Sequence, residues 1–280
     1  MTMLIPMEEP FSLYHTFTCG QAFRWRKRGE WFSGVVGKNV IRARESESGL
    51  EVSTTAALDF VKEYFRHDDN FNAILCELRK DRVVARAMNM FFGLRLIRQE
   101  PWECVVSYVC SIASNIPKIT YTIETMAERF GERMDYEGEA FFSFPSVDSL
   151  AHARVRDLEK CGLGFRARYV SLLAKIVEKE RIDLISLRGY DYEGAREELM
   201  ALPGVGEKVA DCVCLFSLDK LEAFPIDRWM RRIMVEEYLH CKVSDARVRK
   251  YAKERFGKYA GYAQEYLFTY ARALRFKRKY

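Results

Sequence analysis

The chain has 280 residues, and 49% of them are hydrophobic, which is enough for a buried core in one large or two ordinary domains and excludes general disorder. The formal net charge is +5. Residues 1–80 carry 11 basic and 11 acidic side chains, so the excess, 34 basic against 29 acidic, lies in residues 81–280. This distribution suits a phosphate-bearing partner on the later part of the chain, although ordinary surface variation accounts for it equally well.

The cysteines and the N-terminal segment indicate the compartment. None of the eight cysteines forms a Cys-x-x-Cys pair or a tight four-cysteine cluster, so reduced thiols are expected and an iron–sulfur cluster is not. No basic stretch followed by an apolar core opens the chain, and the longest apolar run, residues 105–113, is too short to span a bilayer. We therefore expect a soluble intracellular protein, in the cytoplasm or nucleoid, or in the nucleus of a eukaryote.

The residue pattern predicts an α+β fold. Residues 10–55 are dense in β-formers and are broken by glycine-containing turns, which predicts an antiparallel sheet of short strands. From residue 56 the apolar spacing becomes helical. We predict an N-terminal sheet domain with flanking helices over residues 1–90 and a helical body over residues 91–280, with the final helices packing back on the first domain. The main predicted helices span residues 101–110, 116–130, 166–180, 192–200, 207–218, 228–239 and 246–274.

Two predicted helices are joined by a glycine hairpin, LPGVG at residues 202–206. Pro203 ends the first helix, and Gly204 and Gly206 permit positive φ and a close approach to the backbone. Amide groups at the N-terminus of the next helix can then bind a phosphate, gripping one nucleic-acid strand without reading bases. The alternative is a plain turn in which the glycines serve compactness. Apolar residues on the following helix fall at core spacing: Val209, Cys212, Val213 and Phe216.

Lys208 and Asp227 are the candidate catalytic pair. A lysine in the first turn of a helix opposes the helix dipole, which favours the uncharged amine needed for Schiff-base chemistry. The alternative is a solvated lysine or a simple phosphate contact. Asp227 follows a short apolar segment and precedes a helix, so it can cap that helix, and it can also stabilise a developing cation on a sugar.

Several separate motifs occur in an order that resembles the helix–hairpin–helix DNA glycosylases, and among them the eukaryotic-type 8-oxoguanine DNA glycosylase/AP lyases. The resemblance covers most of the chain. It rests on CGQAFRW at 19–25, GLRLIRQEP at 93–101, GLGFRARYV at 162–170, KVADC at 208–212, FPID at 224–227, and YAG, AQ and LF at 259–261, 263–264 and 267–268.

The resemblance implies a role for each matching residue. Lys208 would attack the anomeric carbon of an extruded nucleotide, and Asp227 would stabilise the cationic sugar. The base would be bound by a carbonyl at Gly20, by the amide of Gln264, and between Phe268 and Cys212, with Pro225 lining the pocket. Taken singly, these residues also fit a strand bulge, a surface amide, a core aromatic and a small apolar filler. The implied DNA-binding residues are Gly204, Val205, Gly206, Asn115, Lys118, Phe165, Arg166 and Trp229.

The chain departs from the family pattern where the opposite strand is read. Ala113 occupies the place of an asparagine that contacts the opposite cytosine, and Lys118 replaces an arginine with a forked contact. Arg166 and Phe165 keep the other arginine and the aromatic wedge, while Trp229 replaces a histidine. We therefore expect an intact lesion pocket and relaxed selection of the opposite base.

The sequence thus predicts a monomeric enzyme that excises 8-oxoguanine from double-stranded DNA and nicks the abasic strand. No cofactor and no metal site are predicted, although the hairpin carbonyls are able to hold a monovalent cation. Two alternatives stay open at this point: a glycosylase for another damaged purine, and a non-catalytic helix–hairpin–helix DNA-binding protein.

Overall fold

The first part of the chain forms a five-stranded antiparallel sheet. The computed structural model of the protein describes residues 2–7 and 9–277, except the side chains of 275–277. The strand order is β1-β5-β4-β3-β2, and the second sheet is a hairpin of two strands. The strands are β1 (Thr2–Pro6), β2 (Arg26–Arg28), β3 (Trp31–Val36), β4 (Asn39–Ser46), β5 (Gly49–Thr54), β6 (Arg133–Tyr136) and β7 (Glu139–Phe142).

The helical body follows, as the spacing predicts. The helices are α1 (Leu13–Thr18), α2 (Leu58–Tyr64), α3 (Phe71–Leu78), α4 (Arg82–Met90), α5 (Pro101–Cys110), α6 (Ile116–Phe130), α7 (Val147–His152), α8 (Val155–Leu158), α9 (Arg166–Glu180), α10 (Tyr192–Met200), α11 (Glu207–Ser217), α12 (Arg228–Met234), α13 (Asp245–Phe256) and α14 (Ala260–Lys277). The α+β prediction is confirmed. No helix within the described residues has the length and apolar character needed to cross a membrane.

The prediction of β-structure throughout residues 10–55 was wrong at α1. Ser12 caps this helix by accepting a hydrogen bond from the His15 amide, and Leu13, Thr16 and Phe17 are buried at helical spacing. Six residues are too few to impose a helical period on a segment otherwise rich in β-formers. The sheet also extends before residue 10, because β1 pairs with β5.

Two later segments also differ from the prediction. The helix expected over 246–274 is two helices, α13 and α14, because Gly257 has φ +56° and ends the first. The β6–β7 hairpin was not predicted. Glu137 and Gly138 both have positive φ, as a tight hairpin turn requires, but four-residue strands carry little periodicity. The hairpin meets the sheet through the Ser53 hydroxyl, which bonds Tyr136 and Glu137.

Two clusters of buried side chains hold the fold together. The smaller one joins the sheet to α1 and α2 through residues such as Phe17, Ile41 and Phe65. The larger one runs through the helical body and includes buried side chains of α3 and α4. Helix α14 packs on α4, and Tyr262 on α14 donates a 2.7 Å hydrogen bond to Asp69. The division at residue 90 stays a prediction.

Gly49 is a position where the sheet requires glycine. Its φ is +140°, and a Cβ atom there would lie 2.7 Å from the Met7 nitrogen and closer still to the Ile5 carbonyl oxygen. We expect Gly49→Ala to lower the free energy of unfolding by about 2–3 kcal/mol, since strain and a backbone clash add. Gly37→Ala is the matched control: φ is +59° but no atom lies within 4 Å, so its cost should be about 1 kcal/mol. Equal losses in urea unfolding would contradict the assignment.

Candidate active site

A cavity of about 280 Å³ opens between the first turn of α11, the end of α5, the start of α12 and one face of α14. Its size is near the lower end of ligand pockets. Nine of the fifteen residues predicted for the site line it: Gly20, Asn115, Lys208, Cys212, Pro225, Asp227, Trp229, Gln264 and Phe268. The other six, Lys118, Phe165, Arg166, Gly204, Val205 and Gly206, lie outside its lining.

Lys208 is held at the cavity by two side chains from α5 and the residue after it. Its Nζ donates a 3.0 Å hydrogen bond to the Ser111 hydroxyl and lies 4.8 Å from the centre of the Tyr108 ring. The lysine side chain is half-buried. The amine therefore faces the cavity and not bulk solvent.

A buried polar network fixes the helix that carries Lys208. Asp211, one turn further along α11, has no exposed surface. Its carboxylate accepts hydrogen bonds from the Tyr192 hydroxyl at 2.7 Å and the Arg196 Nε at 2.9 Å, and Arg249 lies 3.3 Å away. Burial raises the pKa of Asp211, and the two arginines oppose that rise. The network joins α10, α11 and α13.

Asp227 caps α12 and lines the cavity. Its Oδ1 accepts the backbone amides of Trp229 and Met230 at 2.8 and 2.9 Å, so the capping role is confirmed. The same carboxylate borders the cavity that Lys208 faces. A cap on a short rigid helix keeps a negative charge in a defined place near the amine.

The hairpin at 202–206 uses its two glycines differently. Gly204 has φ +78°, and a Cβ atom there would lie 2.9 Å from the Tyr169 Cβ. Gly206 has φ −94° and so does not use the freedom to take a positive φ; it is the N-cap of α11, with no atom within 4 Å of an added Cβ. Val205 is buried, so the hairpin presents backbone and not a side chain. This suits a phosphate contact.

The residues predicted to bind the base occupy enclosed positions. Gly20 lies in the loop after α1, not in a strand; its φ of +110° disfavours a side chain there, and an added Cβ would lie 2.6 Å from the Ile116 Cδ1. Gln264 is 4% exposed, which excludes a surface amide. Phe268 is half-buried on the same face of α14. Burial raises the pKa of the Cys212 thiol to about 12, and Lys208 acts in the opposite direction.

Sequence reasoning missed six polar residues of this cavity: Tyr108, Ser111, Ser114, Arg228, Glu265 and Arg272. Tyr108 and Ser111 hold Lys208 across a helix interface, which no local spacing indicates. Glu265 is 2% exposed, and burial raises the pKa of its carboxyl to about 7. Arg272 donates a hydrogen bond to the Cys19 carbonyl. The one sequence signal was a carboxylate inside an otherwise apolar stretch of α14.

Four of the predicted DNA-binding side chains lie at the edge of the cavity or outside its lining. Phe165 is 56% exposed, as a wedge must be. Asn115 caps α6 by accepting the amide of Lys118 at 3.0 Å, and both residues are exposed. Arg166 differs, because it is buried and all three of its nitrogens donate to backbone carbonyls, those of Ile112, Ala113 and Leu163. This arginine supports the loop carrying Ala113 and is not presented to a partner in this conformation.

No trio of metal-binding side chains lies in the cavity wall that the structure describes. One group of three with suitable spacing, Asp148, His152 and Glu178, lies on the exposed surface, outside the cavity lining. The cavity lining brings together the Lys208 amine, the Asp227 carboxylate and the buried Glu265.

A hairpin suited to a phosphate, with an amine and a carboxylate in one cavity behind it, defines a helix–hairpin–helix enzyme that acts on nucleic acid. The model of the 8-oxoguanine DNA glycosylase N-terminal domain matches residues 3–105, and the helix-hairpin-helix motif matches residues 190–216. The chain is 32% identical to the N-glycosylase/DNA lyase OGG1 of Arabidopsis thaliana over 90% of its own length and 75% of that protein.

Solved structures agree with this assignment. MBOgg1 in complex with a low affinity DNA ligand has a TM-score of 0.93 and 33% identity, covering 98% of this chain and 96% of that one. The Clostridium acetobutylicum 8-oxoguanine glycosylase/lyase, in complex with double-stranded DNA containing cytosine opposite 8-oxoG, has a TM-score of 0.91 and 30% identity, covering 98% of each chain. The chain belongs to the 8-oxoguanine DNA glycosylase/AP lyase family, and it is a DNA glycosylase with AP lyase activity whose partner is DNA.

The buried acid of the cavity makes stability depend on pH. Because the folded pKa of Glu265 is raised, from 4.5 to about 7, folding favours the protonated form, and stability falls as pH rises through this interval. We expect Glu265→Gln to remove that fall. Relative to wild type, its free energy of unfolding should therefore be about 3 kcal/mol more favourable at alkaline pH than at acid pH. Thermal unfolding of both proteins across the interval measures it. Glu254→Gln, at an exposed carboxylate, is the control. Parallel pH profiles for wild type and Glu265→Gln would contradict the burial argument.

Proposed function

We propose that the enzyme excises 8-oxoguanine by Schiff-base chemistry at Lys208 and then nicks the abasic strand by β-elimination, acting inside the cell as a monomer. The observation that carries this proposal is the shared cavity of Lys208 and Asp227. An amine held by Ser111 and Tyr108 needs little reorganisation to reach a sugar carbon in that space.

The reaction requires an extruded nucleotide, because C1′ is inaccessible inside a duplex. The lone pair of the Lys208 Nζ attacks C1′ as the C1′–N9 bond breaks, and the base leaves with the bonding electrons and takes up a proton. The nitrogen of the resulting hemiaminal loses a proton, the C1′–O4′ bond breaks, and O4′ takes up a proton as the C1′=N imine forms. Loss of a C2′ proton then expels the 3′ phosphate. The Asp227 carboxylate stabilises the positive charge that develops on the sugar, and its cap position holds it in place.

The base pocket fits an oxidised guanine. The Gly20 carbonyl accepts the N7 hydrogen that 8-oxoguanine has and guanine lacks, Gln264 meets the Watson–Crick edge, and the ring lies between Phe268 and Cys212, with Pro225 beside it. The burial of Gln264 and the restricted space at Gly20 support this arrangement. A buried site discriminates with one hydrogen bond, since the wrong base leaves a polar group unpaired.

In this proposal the enzyme selects the base opposite the lesion less strictly than the family pattern implies. The exposed Ala113 offers no hydrogen-bonding side chain, and the exposed Lys118 offers a point charge in place of a planar fork. The guanidinium of Arg166 already donates its hydrogen bonds to backbone carbonyls and is not presented to an opposite base. Phosphate contacts at the Gly204–Val205–Gly206 backbone, with Trp229 and Asn115 beside the cavity, add affinity without sequence information.

Lys208→Gln tests the nucleophile. Borohydride reduction should link wild-type protein covalently to DNA containing 8-oxoguanine, because it reduces the imine. Lys208→Gln should give no adduct and no strand nick, with the affinity for lesion DNA changed by less than about tenfold, because the pocket residues remain. Lys250→Gln, at a 73% exposed lysine, is the matched control and should trap like wild type. Adduct formation by Lys208→Gln would assign the nucleophile to another amine.

Opposite-base selection is tested with duplexes carrying 8-oxoguanine opposite C, A, G or T. We expect wild-type single-turnover rates to agree within about tenfold across the four, since one or two exposed polar contacts carry little discrimination. Ala113→Asn combined with Lys118→Arg should raise the preference for C, because both changes restore hydrogen-bonding groups. A wild-type rate opposite C that exceeds the other three by several hundredfold would refute the prediction.

A further inference from the structure

Glu265 is a carboxyl group in the cavity wall that the reaction outlined above does not use. It is 2% exposed, and its Oε1 has no hydrogen-bond partner among the described residues. In the same part of the chain, no Lys, Arg or His nitrogen lies within 4.0 Å of its oxygens. A buried carboxylate without a paired cation is strongly disfavoured relative to the neutral acid. The neutral acid carries an O–H donor that needs an acceptor.

Among the described residues, the one side-chain hydrogen bond that reaches this carboxyl group comes from the Cys19 thiol, which donates to it, so Oε1 keeps no partner and no oxygen or nitrogen acceptor is paired with the neutral acid. The nearby arginine, Arg272, donates its Nη1 to the Cys19 carbonyl and not to the carboxyl. Burial raises the pKa of Glu265 to about 7 against the opposing effects of Cys19, Arg272 and Lys208. The titratable and charged groups that face it are Cys19 just after α1, Tyr108 on α5, Lys208 on α11, Asp227 just before α12 and Arg272 on α14.

The position of Glu265 indicates which atom of a base it meets. It follows Gln264 in α14, and on its other side it faces Cys19, the neighbour of Gly20. With Gly20 at N7 and Gln264 at the Watson–Crick edge, the exocyclic atom on C6 lies between these two contacts on the purine perimeter. In a guanine-type base that atom is a carbonyl oxygen, which accepts; in an adenine-type base it is an amino group, which donates.

We propose that Glu265 is a further base-binding residue, whose protonated carboxyl donates a hydrogen bond to the C6 carbonyl oxygen of the extruded purine. This inference rests on the proposed function. No proton is transferred, so the residue contributes to recognition and not to bond breaking. Its contact would favour guanine-type over adenine-type lesions, and it would make base recognition weaken as the carboxyl ionises.

The test compares wild type with Glu265→Gln, whose amide keeps a donor but does not titrate. Single-turnover release of 8-oxoguanine is measured from about pH 6 to about pH 8, and the variant rate is divided by the wild-type rate at each pH. Effects of pH on steps that do not involve residue 265 are common to both proteins and cancel in this quotient. We expect the quotient to rise about tenfold over the range, as the wild-type donor is lost by ionisation. Nicking of the same duplex with an abasic site has no base to bind, so its quotient should stay constant.

A second variant, Glu265→Met, has a side chain of similar volume but no hydrogen-bond donor, and it is tested in the same two assays. We expect it to release 8-oxoguanine on the order of tenfold more slowly than wild type near pH 6 and to approach wild type near pH 8. Its abasic nicking should equal that of wild type at both values. If this variant fails to nick abasic DNA, the Glu265→Gln quotient alone decides.

Two results would overturn the proposal: a Glu265→Gln quotient that is independent of pH for base release, or a Glu265→Gln variant as impaired as Glu265→Met at every pH. Failure of the proposed function looks different. Wild type would then nick abasic DNA but release no 8-oxoguanine at any pH, whatever residue stands at position 265.

Discussion

The burial of α11 is the constraint on which the site depends. Every side chain from Val209 to Ser217 is buried, so the helix packs on all sides and only its first turn reaches the surface. Lys208 therefore begins from a backbone position fixed by the core, and its amine is directed by the Ser111 hydroxyl and the Tyr108 ring. A nucleophile on a rigid element needs less ordering on substrate binding than one on a loop.

The backbone amides at the N-terminus of α11 must also stay accessible to a phosphate, although the rest of the helix is buried. The charged side chains around α11 serve both the burial and this access. Glu207 in the first turn pairs with Arg249 at 2.8 Å and with Arg196 at 3.2 Å, which offsets its negative charge beside an amide group offered to phosphate. These two arginines also bind the buried Asp211. One network thus anchors the helix inside the protein and reduces charge repulsion at the hairpin.

The sequence predicted what depends on local period or on motif order. Helix α6 was predicted at its observed bounds, because its 15 residues carry a clear apolar face and its end is marked by Gly131. The short helix α1 and the β6–β7 hairpin were not predicted, because a helix of six residues and strands of four residues show too little periodicity. Ser111 and Glu265 were not predicted for another reason. Ser111 matters because it accepts a hydrogen bond from Lys208, which is distant in sequence, and Glu265 because folding leaves its Oε1 without a partner.

The residues proposed to contact the damaged base are buried, whereas those proposed to contact the opposite strand are exposed. This difference in burial determines where selectivity can arise. The side chains that we propose as base contacts, such as Gln264 and Glu265, are nearly inaccessible to water, so a mismatched hydrogen bond there would carry a full desolvation penalty. Lys118 and Ala113 are exposed, and water replaces any contact they lose at little cost. If the proposed function holds, we therefore expect selectivity to depend mainly on the damaged base and much less on the base opposite it.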